Sequence, residues 1–306
     1  MSEPVDMRVA IGAVTLPTPV IAASGTFGYG LEFAGLVDLA AVGAIAVKGL
    51  SLAPHAGRPP PRLVESPAGM LNAIGLQNIG VDAFLRERLP ELGRLGARVV
   101  ANFWGDSPEE FAECAARLDG APGLVALELN AASPNRPEWG GIIASDPGAL
   151  AAIVRAVRRR VRLPLWVKLS PNVTDVTAVG RAVEAEGADA LCAINTLRGL
   201  AVDIETRRPR LGSVTGGLSG PAIKPVALAM VWALTRSVRI PVVGLGGIRT
   251  GEDALEFLCC GARAVQVGTA TFYDPGAPVR VAEEMARWCR RHGVEAVAEM
   301  GGTLTW

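Results

Sequence analysis

The stretch LVALELNAASPNRPEWGGIIASD, residues 124–146, sets the pattern that the rest of the chain repeats. It begins with LVALEL, an apolar run that is short and dense enough to form a buried strand. The run ends at Asn130, and Pro134 favours an extended backbone at Ser133 because its ring clashes with a helical residue before it. A polar residue after a strand, followed by a loop, is typical of the sites of barrel and doubly wound enzymes. Taken alone, the stretch is equally compatible with an ordinary Ser-Pro-Asn turn.

Seven other short apolar runs also end in polar or small residues, and helical patterns lie between most of them. The helical patterns begin after Ser107, Asp146, Asp175 and Thr250, which are favoured N-cap residues. This alternation predicts an α/β fold, a (β/α)8 TIM barrel. The alternative is an open doubly wound sheet, but no Gly-x-Gly-x-x-Gly motif follows the first strand. The predicted strands are residues 19–24, 44–47, 98–101, 124–129, 165–167, 190–194, 241–245 and 264–267, and the predicted helices are residues 109–118, 147–161, 176–186 and 251–260.

Three segments do not belong to this alternation. Residues 7–16 predict a small N-terminal hairpin around Gly12. Residues 51–80 and 197–219 are too long for simple connections, and both follow the carboxyl ends of strands. We therefore expect inserted loops on the C-terminal face of the barrel, and a single domain over residues 1–306.

Composition excludes several classes of function. The 306 residues carry 30 basic and 30 acidic side chains, so no phosphate-neutralising face for nucleic acid is expected. The five cysteines are scattered without a Cys-x-x-Cys motif, which predicts reduced thiols, no metal site and a cytoplasmic protein. No signal peptide or membrane span is expected. The only histidines, His55 and His292, are predicted to be solvent-exposed rather than catalytic.

The residues at the strand ends include two lysines and three asparagines but no acid. In a barrel these groups converge on one face, where they suit a flat, polar, anionic ligand. A lysine at the end of an apolar run is costly unless it faces an anion or snorkels to solvent. The set is Ser24, Lys48, Asn102, Asn130, Lys168, Asn195, Thr196, Gly246, Gly247, Gly268 and Thr269.

Two glycine-containing turns follow the last two strands, in GLGGIRTGEDAL and VGTATF. Bare backbone N–H groups ahead of a helix, here one starting near Gly251, make a phosphate site, and barrels commonly form that site after strands seven and eight. We therefore expect a phosphate-bearing cofactor; the alternative is that these glycines form only tight turns. The segment NAIGLQN adds Asn72 and Asn78, whose amides match an amide or imide edge.

The chain also resembles the dihydroorotate dehydrogenases. The resemblance rests on SGTFGYG, VKGL, GMLNAIGLQN, ANFWG, ELNAASPN, VKLSPN, AINT, GGLSGPAIKP and GLGGIRTGEDALEFL, and it runs in order along nearly the whole chain. NAIGLQN and the short N-terminus resemble the catalytic subunits of class 1, type B in particular. The resemblance implies flavin-dependent oxidation of (S)-dihydroorotate to orotate in pyrimidine biosynthesis, with one FMN over the barrel mouth.

The resemblance also implies two sets of binding residues. The FMN set is Ser24, Lys48, Gly49, Asn102, Asn130, Lys168, Ile194, Gly220, Gly246, Gly247, Gly268 and Thr269. The orotate set is Lys48, Asn72, Ala73, Ile74, Gly75, Leu76, Asn130, Asn195 and Thr196.

One position departs from type B, whose catalytic base is the cysteine of an Asn-x-x-Cys-Pro-Asn motif. Here that position is Ser133, as in the class 2 enzymes that this sequence resembles at this point. A thiol offers some thiolate at neutral pH, whereas a serine hydroxyl needs a hydrogen-bonded relay to act as a base. We expect Ser133 to be the base, with activity rising toward alkaline pH; the alternative is a bystander serine in a slow or differently specific protein.

The resemblance further implies an electron-transfer partner subunit that carries FAD and a 2Fe–2S cluster and reduces NAD. The expected assembly is a heterotetramer built on a homodimer of this chain, with fumarate or a quinone as alternative acceptors. The sequence leaves two other functions open: an FMN oxidoreductase of another dihydropyrimidine or of dihydrouridine, and a phosphate-binding barrel without redox chemistry.

Overall fold

Eight parallel strands close into a barrel in the computed structural model, which describes residues 4–134 and 142–305. These strands are β3 (Val20–Ala22), β4 (Ala44–Ala46), β7 (Val99–Phe103), β8 (Leu124–Leu129), β9 (Leu165–Lys168), β10 (Ala190–Ala193), β15 (Val242–Leu245) and β16 (Ala264–Val267). Each strand pairs with the next in this order, and β16 pairs back with β3. The predicted (β/α)8 barrel is therefore confirmed.

Helices connect the barrel strands and begin at caps that the sequence supplies. The Asp146 carboxylate accepts from the Gly148 and Ala149 amides, and Thr250 and Asp253 form a reciprocal capping box. The helices are α1 (Val81–Ala83), α2 (Leu89–Arg94), α3 (Pro108–Leu118), α4 (Pro147–Arg158), α5 (Val176–Ala185), α6 (Lys224–Thr235), α7 (Gly251–Cys259) and α8 (Ala277–Arg291), with a π-helical turn at Phe84–Arg88 between α1 and α2. Among the described residues, no helix is long and apolar enough to cross a bilayer.

A two-stranded hairpin precedes the barrel, as predicted. Its strands are β1 (Val9–Ile11) and β2 (Val14–Leu16), joined through Gly12, whose φ of 60° suits a tight turn. Val9, Ile11, Val14 and Leu16 point inward and join the main hydrophobic core.

The two long insertions fold together instead of forming separate loops. Strands β5 (Leu63–Ser66) and β6 (Gly69–Asn72) come from the first, and β11 (Leu197–Gly199) and β14 (Gly216–Ser219) come from the second. They form one antiparallel sheet in the order β11, β14, β6, β5. A short exposed ribbon, β12 (Val202–Asp203) with β13 (Arg208–Pro209), extends from the second insertion.

The sheet has a small core of its own, separate from the barrel core. Val64, Leu71, Ala73 and Leu211 are buried there. Asn72 stands opposite Gly217 across the strands, and its side-chain Nδ2 donates to the Gly217 carbonyl at 3.2 Å. The pairing ties both insertions together above the carboxyl ends of the barrel strands.

Candidate active site

A cavity of about 870 Å³ opens at the carboxyl ends of the barrel strands, under the inserted sheet. Its volume lies in the range typical of small-molecule and cofactor sites. All of the residues predicted to bind FMN line it, and so does Ser133. The orotate set also lines it with one exception: the Ala73 side chain is wholly buried in the core of the inserted sheet. The prediction that the strand ends converge is therefore confirmed.

The floor of the cavity holds a buried carboxylate that reading only the strand ends missed. Glu128 on β8 is fully buried, and its Oε1 lies 3.4 Å from the Nζ of Lys168. Gln266 Nε2 donates to Glu128 Oε2 at 2.5 Å, and Asn102 Nδ2 donates to Oε1 at 2.6 Å. The available signal was a lone charged residue inside an apolar strand, which is expensive unless it is paired.

The Lys168 ammonium has three hydrogen-bond partners on this floor. Its ammonium donates to Ser24 Oγ at 3.3 Å and Gln266 Oε1 at 3.3 Å, as well as to Glu128. Burial alone would raise the pKa of Glu128, but the Lys168 charge and the donated hydrogen bonds bring it below its usual value. The floor is therefore an ion pair with hydrogen-bonded neighbours, and its net charge is zero.

Lys48 stands in a different environment on the wall of the same cavity. In the described ranges its ammonium has no acidic partner, and its Nζ lies beside Gly25, where a Cβ would come within 3.6 Å. Burial lowers the pKa of Lys48 to about 8, and the positive charges of Arg62 and Lys168 act in the same direction. This wall can therefore accept an anion.

Three asparagine amides lead from the floor to the inserted sheet. Asn130 Nδ2 donates to Asn102 Oδ1 at 3.4 Å, and Asn195 Nδ2 donates to Asn130 Oδ1 at 3.4 Å. Asn130 also accepts from the Ala132 amide at 3.3 Å, which bends the chain after β8 toward Ser133.

Ser133 lies where this bend delivers it, at the cavity wall and only 6% exposed. Pro134 follows it on the same wall. Residues 135–141 of the loop that the sequence predicts after β8 lie outside the described residues.

The glycine turn after β15 forms a cradle without side chains. Gly246 and Gly247 have φ values of 131° and 78°. A Cβ on Gly247 would come within 2.8 Å of Lys224 Cβ and 2.9 Å of the Gly220 carbonyl, at the N-terminus of α6. Bare backbone at a helix N-terminus suits a phosphate group.

The N-terminus of helix α7, which the sequence pattern predicted to lie at the phosphate site, has other hydrogen-bond partners. Its Gly251 amide donates to Glu284 at 2.7 Å, and its Asp253 amide donates to Thr250 at 3.2 Å. These donors already have partners inside the protein, so the N-terminus of α6 is the helix end that faces the cradle.

Asn78 and the two histidines were also singled out in the sequence, and the structure gives each a different environment. Asn78 pins the first insertion: its Oδ1 accepts from the Ser51 and Gly80 amides at 3.2 and 2.8 Å. His55 is only partly exposed, contrary to expectation, because it lines the cavity and packs edge-on against Trp104 at 5.4 Å. His292 is exposed, as predicted.

Comparisons with known proteins agree with this geometry. The dihydroorotate dehydrogenase family model matches residues 7–288. Two relatives are named dihydroorotate dehydrogenase B (NAD(+)), catalytic subunit: one from Geobacter sp. (strain M21), 53% identical over 299 residues and 98% of each chain, and one from Geobacter sulfurreducens, 54% identical over 304 residues and 99% of each chain.

A solved structure shares the fold. The dihydroorotate dehydrogenase of Eimeria tenella, in complex with ferulenol, superposes with a TM-score of 0.79 at 23% identity, covering 97% of this chain and 88% of the other. The family match and the two bacterial relatives together settle the classification: this chain belongs to the dihydroorotate dehydrogenase family.

Proposed function

We propose that this chain oxidises (S)-dihydroorotate to orotate in pyrimidine biosynthesis, with FMN bound over the barrel mouth. The observation that carries the proposal is the convergence of an acid-free lysine, three linked asparagines and a buried serine on one cavity. FMN fits the cavity on two grounds. Its phosphate matches the side-chain-free cradle at Gly246 and Gly247, and its polar ring edge matches the amides on the wall.

The proposed FMN site has a phosphate end and a ring end. Gly220, Gly246, Gly247, Gly268 and Thr269 would hold the phosphate through backbone N–H groups. Ser24, Lys48, Gly49, Asn102, Asn130, Lys168 and Ile194 would surround the ring system. We further propose that residues 1–306 form one FMN-binding domain, since a single main core contains residues from Val9 to Val297.

In the proposed mechanism Lys48 and the asparagines hold the substrate, and Ser133 moves the proton. Bound FMN supplies the acceptor for the hydride that leaves C6 of dihydroorotate. Ser133 takes the proton from C5 while its own hydroxyl proton passes to a hydrogen-bonded acceptor, because a free alkoxide is not available at neutral pH. The Lys48 ammonium neutralises the substrate carboxylate, with Asn72, Asn195 and Thr196 beside it and residues 73–76 above.

We also propose an electron-transfer partner subunit with FAD and a 2Fe–2S cluster that passes electrons to NAD, in a heterotetramer built on a homodimer. The relatives are named as NAD(+)-linked catalytic subunits, and a catalytic subunit implies another subunit. Those names favour NAD over fumarate or a quinone, and dihydroorotate over other dihydropyrimidines.

The decisive experiment is an anaerobic titration of the purified chain. We expect a yellow protein with a flavin spectrum that dihydroorotate bleaches and dihydrouracil does not. A protein that stays colourless when saturated with FMN would contradict the proposal. Bleaching by dihydrouracil alone would instead favour the alternative dihydropyrimidine oxidoreductase. Full-rate NAD reduction by the chain alone would contradict the partner subunit.

A further inference from the structure

The turn that follows β15 has two halves, and they use their backbone amides differently. In the described ranges, the amides of residues 246–248 donate to no protein group, and these three residues line the cavity. The next two amides, those of Arg249 and Thr250, both donate to Asp253 Oδ2, at 2.9 and 3.0 Å. One half of the turn is therefore open to a ligand, while a carboxylate holds the other half in place.

The same carboxylate also reaches helix α6. Asp253 Oδ1 accepts from Nζ of Lys224, the first residue of α6, at 2.6 Å. Glu256 is a second acidic partner of this ammonium, at 2.9 Å. Burial alone would raise the pKa of Asp253, but the hydrogen bonds from Lys224 and from the turn bring it below its usual value. Asp253 is therefore ionised at neutral pH and can hold α6 and the turn at once.

Lys224 in turn contacts the open half of the turn through its backbone. A Cβ added at Gly247 would lie 3.0 Å from the Lys224 nitrogen. The contacts therefore close into a ring, in which the turn packs on Lys224, Lys224 pairs with Asp253, and Asp253 holds the turn. We call Lys224 and Asp253 the turn brace. Both residues lie outside the described lining of the cavity.

The turn brace has a consequence for a phosphate in the cradle. Such a phosphate would accept from several amides of residues 246–248 at once, so these amides have to point to a common centre. Amides that are fixed before the ligand arrives bind it without the entropic cost of ordering them. The Lys224 charge is already neutralised by two carboxylates, so this lysine orders the turn instead of binding the phosphate itself.

We propose that Asp253 is a positioning residue that, together with Lys224, pre-orders the phosphate end of the cofactor site and thereby sets its preference for FMN over riboflavin. The inference rests on the proposed function, because the phosphate that it concerns is that of FMN. Riboflavin is the matched ligand, since it has the same ring system and side chain without the phosphate.

The test is the ratio of the dissociation constants of riboflavin and FMN for the full chain freed of flavin, measured by quenching of flavin fluorescence. Asp253→Ala removes the acceptor of both turn amides and of Lys224. We expect the preference for FMN to fall about tenfold or more in this variant, while riboflavin affinity changes little. An unchanged ratio would overturn the proposal.

Inorganic phosphate gives a second measurement that does not require riboflavin to bind. It should compete with FMN for the wild-type chain, and it should compete about tenfold more weakly for Asp253→Ala. Equal competition for the two proteins would contradict a pre-ordered phosphate site.

A double-mutant cycle tests whether Lys224 acts through Asp253. Lys224→Met keeps both bonds from the turn to the carboxylate, and we expect the preference for FMN to fall only about three- to fivefold. The double variant Asp253→Ala/Lys224→Met should lose no more than Asp253→Ala alone. Losses that add would show that Lys224 acts on the phosphate directly. A wild-type ratio in Lys224→Met would overturn the proposal even if Asp253→Ala failed to fold.

Two matched variants separate the turn brace from charge and from helix capping. Glu256→Gln removes an acidic charge beside the same ammonium without touching the turn. Thr250→Ala removes the hydroxyl that accepts from the Asp253 amide at 3.2 Å, but leaves the carboxylate bonds. We expect a ratio within about threefold of wild type in both, with a lower Tm for Thr250→Ala. A ratio that fell as far as in Asp253→Ala would show that net charge or helix stability sets the preference.

Failure of this inference is distinguishable from failure of the proposed function. If the wild-type chain does not bind FMN at all, the proposed function is wrong. If it binds FMN and the ratio is insensitive to Asp253→Ala, only the role of the turn brace is wrong.

Discussion

Lys168 ends strand β9 and Lys48 follows strand β4, and both reach the same cavity, yet their surroundings are opposite. Lys168 is paired with Glu128 and makes two further hydrogen bonds. In the described part of the chain Lys48 has no acid beside it, and burial, together with two neighbouring cations, lowers its pKa to about 8. We infer that the neutralised charge of Lys168 holds the site in shape. The charge of Lys48, which has no acidic partner in the described ranges, is available to a ligand.

The largest expected effect is that of removing Ser133, the proposed base, and it tests whether the two lysines leave the proton transfer to the serine. Ser133→Ala should reduce the rate of flavin reduction by dihydroorotate by about 10²- to 10⁴-fold, the usual contribution of a positioned proton acceptor. Stopped-flow absorbance measures the rate, and orotate affinity should change little. If the rate is unchanged, a lysine or another group carries the proton, and the division of roles between the two lysines is wrong.

The next effect concerns the paired lysine. Glu128→Leu should lower the free energy of unfolding by about 3–5 kcal/mol, because it leaves the Lys168 charge buried without a partner. Chemical denaturation measures the loss. The double variant Glu128→Leu/Lys168→Met should recover much of it, since neither charge is then present. A double variant as unstable as the single one would show that packing, not charge, decides stability on the floor.

Replacing Lys48 should have the opposite effect on stability from replacing Glu128. Lys48→Met should weaken orotate binding about 10- to 100-fold, the loss of one charge-assisted contact. It should also raise the stability of the ligand-free protein by about 1 kcal/mol, less than the full pKa shift implies because the side chain is partly open to water. The folded-state pKa of Lys48 is depressed, so the stabilisation should be greatest below pH 8 and vanish as the pH approaches the pKa of the unfolded chain. If Lys48→Met destabilised the protein, the contrast drawn between Lys48 and Lys168 would be wrong.

The smallest effect is the pH dependence of binding in the wild type. Lys48 is charged below its pKa of about 8, so orotate affinity should be constant there and fall by up to about tenfold per pH unit above it. Lys48→Arg should remove this break, because arginine stays charged. The rate of the proton step should instead rise with pH if Ser133 is the base. An orotate affinity that is flat through pH 9 would show that Lys48 does not bind the anion.

The barrel could be predicted from sequence because its signals are local. Each of the eight strands is a short apolar run with a polar end, and caps such as Asp146 mark the helices. Helix α6 was missed because KPVALAMVWALT is apolar nearly all round and shows no helical period. The shared sheet was missed because β6 pairs with β14 across a long stretch of sequence, which no local pattern encodes.

The sequence predicted which residues line the cavity, but not which of them form ion pairs and hydrogen bonds with one another. Strand ends identified Lys48, Lys168 and the asparagines, since a barrel brings those positions together. Glu128 was overlooked because it lies inside β8, one residue before its end; it is two residues before Asn130 and so points to the same side as Asn130. Which lysine the acid would pair with depends on the register between β8 and β9, a property of the assembled barrel.

The inserted sheet places a limit on when the site can form during synthesis. Strand β6 has no partner on its inner edge until β14 has left the ribosome, because Met70–Asn72 pairs with Gly217–Ser219. A nascent chain that stops short of residue 216 can complete the early barrel strands while the roof of the cavity stays open. We therefore expect ligand capture to await the last third of translation, and a truncation before that point to yield a protein whose cavity lacks its roof.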